Sequence, residues 1–76
     1  MERTAVKSSS IRSVGYDREH RLLDVEFTSG KVYRYGNVPE ETHQALMGAE
    51  SIGAHFGKHI RGKFQSGELI AAKEGV

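Results

Sequence analysis

Leu23-Asp24-Val25-Glu26-Phe27-Thr28-Ser29-Gly30-Lys31-Val32-Tyr33-Arg34-Tyr35 is the stretch that decides the fold. Leu23, Val25 and Phe27 alternate with two acids, the period of two of a half-buried strand. After Thr28-Ser29-Gly30 the alternation resumes through Val32-Tyr33-Arg34-Tyr35, so the two runs predict a hairpin. Two registers are open. A two-residue Ser29-Gly30 loop sets Phe27 opposite Val32 and turns both tyrosines away from the Leu23/Val25/Phe27 face. A three-residue loop, with Gly30 in the left-handed region, pairs Val25 with Tyr33 and Leu23 with Tyr35. The second is preferred, because it gathers the large apolar groups on one face and sets Asp24 across from Arg34. A slip of one residue would lose both gains.

Upstream, Ile11, Val14 and Tyr16 predict a first strand over 11–17, closed by the polar turn Asp17-Arg18-Glu19-His20. Downstream, Pro39 opens a helix whose first turn carries Glu40 and Glu41, suited to the positive end of the helix dipole. Thr42, Ala45, Leu46 and Ala49 share its apolar stripe, and Gly48 weakens its end. Ser51 is placed to cap a second helix. In it Ile52, Phe56, Ile60 and Phe64 recur every four residues as an apolar seam. Gly53, Gly57 and Gly62 each lower helix propensity by about 0.8–1 kcal/mol relative to Ala. They read as points where the helix packs closely or ends early. The expected architecture is α+β: a three-stranded antiparallel β-meander followed by two α-helices packed on one face. Residues 1–9 are expected to form a flexible arm, 10–64 the domain and 65–76 a frayed tail.

Seventy-six residues make one domain with one modest core. Roughly 60% of the chain's surface is buried on folding at this size, and net stability of ~3–5 kcal/mol is the scale. That leaves little to support strained or desolvated catalytic groups. With no Cys, neither disulfides nor thiolate zinc sites can staple the fold. Met1 runs into Glu2, Arg3 and Lys7 without an apolar stretch, so no signal peptide, no membrane contact and a cytoplasmic location are expected. The net charge is +1, but it is unevenly spread. Residues 51–64 hold Lys58, Arg61 and Lys63 and no acid, in a chain with 10 acids.

Several stretches invite a chemical reading. Gly57-Lys58-His59-Ile60-Arg61-Gly62-Lys63 fits G-x-x-x-x-G-K, yet Phe64 stands where a phosphate loop needs Ser or Thr, and no strand precedes it. His55 and His59 are spaced as two metal ligands on a helix face. No Glu lies between them and no third ligand is evident, so no metal is expected. Ser8, Ser9 and Ser10 lack a neighbouring base, so no nucleophile is assigned. Tyr33-Arg34-Tyr35 can be read as stacking aromatics with an interleaved cation, as in strand-face RNA binders. In the preferred register it is instead two core rings and an Arg34–Asp24 pair. Lys58, Arg61 and Lys63 could contact phosphate, or could form an ordinary solvated helix face.

The order Ser8-Ser9-x-Ile11, Val14-Gly15-Tyr16-Asp17, Leu23-x-Val25-x-Phe27, Gly30, Tyr33-x-Tyr35, Val38-Pro39, Ala49-x-Ser51-x-Gly53, Ile60-Arg61 resembles the KTSC domain over about residues 6–64. That family is named for the C-terminal region of some lysyl-tRNA synthetases and also occurs as short free-standing bacterial and phage proteins. The resemblance implies a small non-catalytic binding module with no cofactor and no catalytic residues, with RNA, tRNA in particular, as the implied partner. Tyr33 and Tyr35 match the family's central motif, whereas His55-Phe56-Gly57 departs from its pattern. The candidate nucleic-acid surface is Arg12, Arg34, Tyr35, Lys58, Arg61 and Lys63. The alternative is a protein-interaction or assembly module of phage or bacterial accessory type, including a homodimer, using an open sheet edge.

Overall fold

The computed structural model describes residues 3–69. The hairpin that decides the fold adopts the three-residue loop. Its strands are β3, Leu22–Phe27, and β4, Val32–Tyr35. Phe27 N–H donates to the Lys31 carbonyl and Gly30 N–H to the Phe27 carbonyl, each at 2.9 Å, with Gly30 at φ 99°. A side chain at such a φ is strained, so glycine is the residue the loop requires. Leu23 pairs with Tyr35, Asp24 with Arg34 and Val25 with Tyr33.

β2, Ile11–Asp17, pairs antiparallel with β3 through an irregularity between Ile11 and Ser13. Ile11 faces Phe27 and Ser13 faces Glu26, so Arg12 is the inserted residue of a bulge. This explains a spacing that strict alternation does not. Ile11 and Val14 are three apart, yet both are buried, because the extra residue restores Ile11 to the core face.

The sheet has five strands rather than the expected three, in the order β1-β2-β3-β4-β5. β1, Arg3–Ala5, lies in the stretch read as an arm and pairs with β2. β5, Ser66–Leu69, lies in the stretch read as a tail and pairs with β4. Residues 1–2 of that arm and 70–76 of that tail lie outside the described residues. Both additions are exposed edge strands without an alternating apolar face, which is why sequence periodicity missed them. Their backbone groups find partners in an existing ladder, and that is enough to order a short segment beside a formed sheet.

Between β4 and β5 come α1, Glu40–Met47, and α2, Ile52–His59. Pro39 stands at the N-cap of α1, one position before the first turn. Ser51 caps α2 by accepting the Ala54 N–H at 3.3 Å. Both helices lie on the face that carries Leu23, Val25 and Tyr35. There Leu46 from α1 and Ile52 and Phe56 from α2 join Ile11, Val14, Val38 and Ile60 in one core. A fully buried aliphatic side chain of this kind contributes roughly 1.5–3 kcal/mol. Tyr16 O–H donates to the Val38 carbonyl at 2.5 Å, tying the first long strand to the segment that enters α1.

Among the described residues, no helix covers the other sheet face. Asp24 and Arg34 meet there in a two-pronged pair, Nε to Oδ1 at 2.8 Å and Nη2 to Oδ2 at 3.0 Å. The Asp24 side chain is 5% exposed and that of Arg34 41%. The guanidinium therefore serves mainly to satisfy a carboxylate that water scarcely reaches. Replacing Arg34 by Ala should cost about 3 kcal/mol, because it strands a buried charge. Asp24→Ala combined with Arg34→Ala should lose well under the sum of the two single changes in urea denaturation. Additive losses would show that the pair is not coupled.

Candidate functional site

A concave cavity of about 560 Å³ opens on the helix-bearing side of the molecule, where the β3–β4 hairpin, the start of β5, α2 and the turn that follows it converge. Its rings form a continuous edge-to-face chain. Tyr33 contacts Phe27 with centroids 5.9 Å apart and planes at 77°. Phe27 contacts Phe56 at 5.5 Å, and Phe56 contacts Tyr35 at 5.4 Å. Such crossed geometries match the positive edge of one ring to the negative face of the next. Tyr35 and Phe56 are buried, so they form the floor, while Phe27 and Tyr33 are half-buried walls.

The helical wall is bare. Gly53, Gly57 and Gly62 all line the cavity, and a Cβ built at Gly57 or Gly62 would meet nothing within 4 Å. Gly53 is different: its Cβ would stand 2.8 Å from Ser10 Oγ, so there the helix does approach the segment before β2 closely. The expectation of close packing thus holds at Gly53 and fails at Gly57, while Gly62, at φ 77°, belongs to the turn that follows α2. The rim carries the hydroxyl groups of Ser10, Thr28, Ser29 and Ser66, and the side chain of Arg61. Arg61 is set there by its own backbone, whose N–H donates to the Phe56 carbonyl at 2.9 Å. Among the described residues it has no carboxylate within ion-pair distance, unlike Arg12, Arg18 and Arg34. Burial pushes the Tyr35 phenol above its ordinary pKa, and the positive charge of Arg61 acts in the opposite sense.

The six residues expected to form one nucleic-acid surface are divided by the sheet. Arg61 lines the cavity, and Lys58 and Lys63 are exposed on the same segment. Tyr35 is 5% exposed and belongs to the core. Arg34 lies on the opposite face, engaged with Asp24. Arg12 occupies the bulge, where it meets Glu26 at 3.7 Å and donates to the Thr28 carbonyl at 3.3 Å. Sequence reasoning did not assign Phe27, Thr28 or Ser66 to a site. One signal was available. Gly53 and Gly57, spaced i, i+4 beside the Ile52–Phe56 seam, leave a stripe of α2 without side chains next to its apolar face.

Two further groupings lie elsewhere. His55 and His59 stack loosely, with centroids 4.4 Å apart. Asp17, Glu19 and His20 bring ligand-type atoms within 4.8 Å of one another, but these groups build the β2–β3 turn. Asp17 accepts the Glu19 and His20 N–H groups at 3.1 and 3.2 Å and contacts His20 Nδ1 at 2.8 Å. The hydrogen bond to the His20 ring, aided by those amides, holds the Asp17 carboxyl below its usual range. Gly57–Lys63, the stretch with phosphate-loop spacing, is the end of a helix and a turn, without the strand–loop–helix frame such a loop needs.

The KTSC domain family model matches residues 7–64. The chain belongs to the KTSC domain family. A crystal structure of a KTSC domain protein from Yersinia pestis superposes with a TM-score of 0.88 at 41% identity, covering 90% of this chain and 96% of that one. An uncharacterized protein of Stutzerimonas stutzeri is 57% identical over 56 residues, which is 74% of this chain and 79% of that protein. A lysine–tRNA ligase of Nostoc punctiforme is 40% identical over 63 residues, 83% of this chain but 11% of the ligase. The KTSC chain therefore spans about a tenth of the ligases it resembles.

At the far end of the sheet, the His43 ring from α1 lies flat against Tyr16, with centroids 4.6 Å apart and planes at 9°. Burial disfavours its imidazolium form and lowers its pKa, with Glu40 opposing. A His held below its ordinary value of about 6.5 contributes stability above that pH and loses it as the medium becomes more acidic. Urea midpoints should therefore fall between about pH 7 and 5. His43→Phe, which keeps a ring against Tyr16, should flatten that fall. It should not abolish it, since His55 is shifted the same way by desolvation and by His59. An unchanged slope in the variant would contradict the assignment.

Proposed function

We propose that this KTSC domain is a non-catalytic RNA-binding module whose contact surface is the α2 end of the molecule. The observation that carries this reading is the pairing of Arg61, a cation without a carboxylate partner among the described residues, with the accessible rings of Phe27 and Tyr33 in one cavity. Lys58 and Lys63 extend the positive charge along a segment that has no acid from Ser51 to Phe64. Cations neutralise phosphate, and rings stack bases without demanding a sequence. The similarity to a segment of lysine–tRNA ligases supports RNA as the partner by analogy. Among the described residues, no grouping at this surface joins a nucleophile, a base and a group orienting it, which favours binding over turnover.

A protein-assembly role is the second reading, favoured by the exposed edges β1 and β5. Among the described residues these strands span three and four positions, and short edges are poor templates for pairing. Light scattering that reports a dimer would move the balance toward assembly.

Binding to single-stranded RNA and to tRNA, followed by fluorescence anisotropy, should weaken as salt rises. With Lys58, Arg61 and Lys63 each meeting a phosphate, the slope of log K against log salt should be about −2 on a single strand. Lys58→Glu with Arg61→Glu should abolish binding, whereas Arg18→Gln, in the β2–β3 turn beside Glu40 and outside the cavity, should leave it unchanged. Absence of binding at low salt, or indifference to the charge reversal, would refute the RNA reading.

A further inference from the structure

The cavity is more specific than a basic surface requires. We propose that it receives one unpaired nucleobase of an RNA strand, held against Tyr33 and Phe27 with the adjoining phosphate on Arg61, so that the module selects single-stranded over duplex RNA. This rests on the RNA-binding reading and adds to it the form of RNA that is recognised.

Size is the first argument. Sites of about 300–1,000 Å³ take small molecules, and 560 Å³ accommodates a base with its sugar while excluding the width of a duplex. Wall chemistry is the second. Two half-buried rings present aromatic surface on one side, and on the other α2 at Gly57 and the turn after it at Gly62 offer backbone, where no side chain intrudes. A flat, polarisable guest fits between such walls. A branched aliphatic one would leave the ring faces poorly covered. The rim is the third. Ser10, Thr28 and Ser66 bring hydroxyl groups able to donate or accept, which suits base edges that carry both functions. Charge is the fourth. Arg61 stands at this rim without a carboxylate partner among the described residues, so an anion arriving there displaces no existing ion pair. Lys58 and Lys63, one residue beyond Gly57 and Gly62, extend that charge to neighbouring phosphates. For this reason the site is assigned to a base within a strand rather than to a free nucleotide.

Gly57 provides the test. It lies within α2 with open space in front of it, and Leu is a better helix former than Gly. Gly57→Leu should therefore fill the cavity while leaving the thermal midpoint equal or higher. Decauridylate, decaadenylate, the duplex they form together and adenosine monophosphate are titrated against the native protein, Gly57→Leu and Tyr33→Leu. The native protein should favour the single strands over the duplex at least tenfold. Gly57→Leu should reduce that ratio to about one while retaining weak salt-dependent binding. Tyr33→Leu, which keeps apolar volume but removes the ring, should weaken the single strands about 5- to 150-fold, the range of one lost base stack. If no RNA binds the native protein, the module reading fails and this inference with it. If RNA binds but both variants behave as the native protein, the cavity is not the reader, and the RNA reading stands without it. Adenosine monophosphate binding as tightly as either oligomer would assign the cavity to a free nucleotide and overturn the proposal.

Discussion

The loop at Gly30 is the constraint on which the rest of the structure depends. Its left-handed backbone lets three residues join β3 to β4, and this count fixes which side chains stand across from which. With that register, five large apolar groups share one face and can bury the helices. The opposed charges of Asp24 and Arg34 share the other. A loop one residue shorter would turn Tyr33 away from Phe27 and Tyr35 away from Phe56, leaving α2 with Phe27 but without the Tyr35 ring it packs against. Core, helix docking and cavity all follow from a single turn conformation.

Much of this was legible because local and tertiary preferences agree. The alternation through Leu23–Phe27 and Val32–Tyr35, the Ser51 cap and the Ile52–Phe56–Ile60 part of the α2 seam each have a local cause, and packing preserves each one; Phe64, expected to continue that seam, lies past the helix, which ends at His59. Edge strands are different. Arg3–Ala5 and Ser66–Leu69 carry no apolar alternation, and Gly67 has poor strand propensity. They are strands because β2 and β4 offer them unpaired backbone groups, and that information lies in the formed sheet rather than in the segments themselves. The bulge at Arg12 was hidden for a similar reason. The three-residue step from Ile11 to Val14 reads as an irregular strand until the partner strand shows where the extra residue goes.

The candidate surface was read less well than the fold, and the reason is geometric. Sequence places Arg12, Arg34 and Arg61 on named elements, but only pairing and packing decide which side of a two-layer molecule each one occupies. Arg34 follows from the register and its partner. Arg61 does not, since its position depends on how the chain leaves α2, with the Phe56 carbonyl accepting two successive N–H groups. Phe27 and Tyr33 were recognised as inward-facing, yet their incomplete burial depends on glycines opposite them in space. The cavity exists because a helix wall lacks side chains, and an absence of atoms is hard to weigh against a hydrophobic pattern.

The sequential strand order has a mechanical corollary. Because β1 and β5 flank three intervening strands, the two extremities of the described chain stand at opposite borders of the sheet, four strand spacings or about 19 Å apart. Joining them in a circularly permuted version would require a tether crossing that width, and the face without helices offers the route that avoids both α1 and α2. Attached at either extremity to another polypeptide, the domain would be held by one border, with its aromatic hollow still turned to solvent.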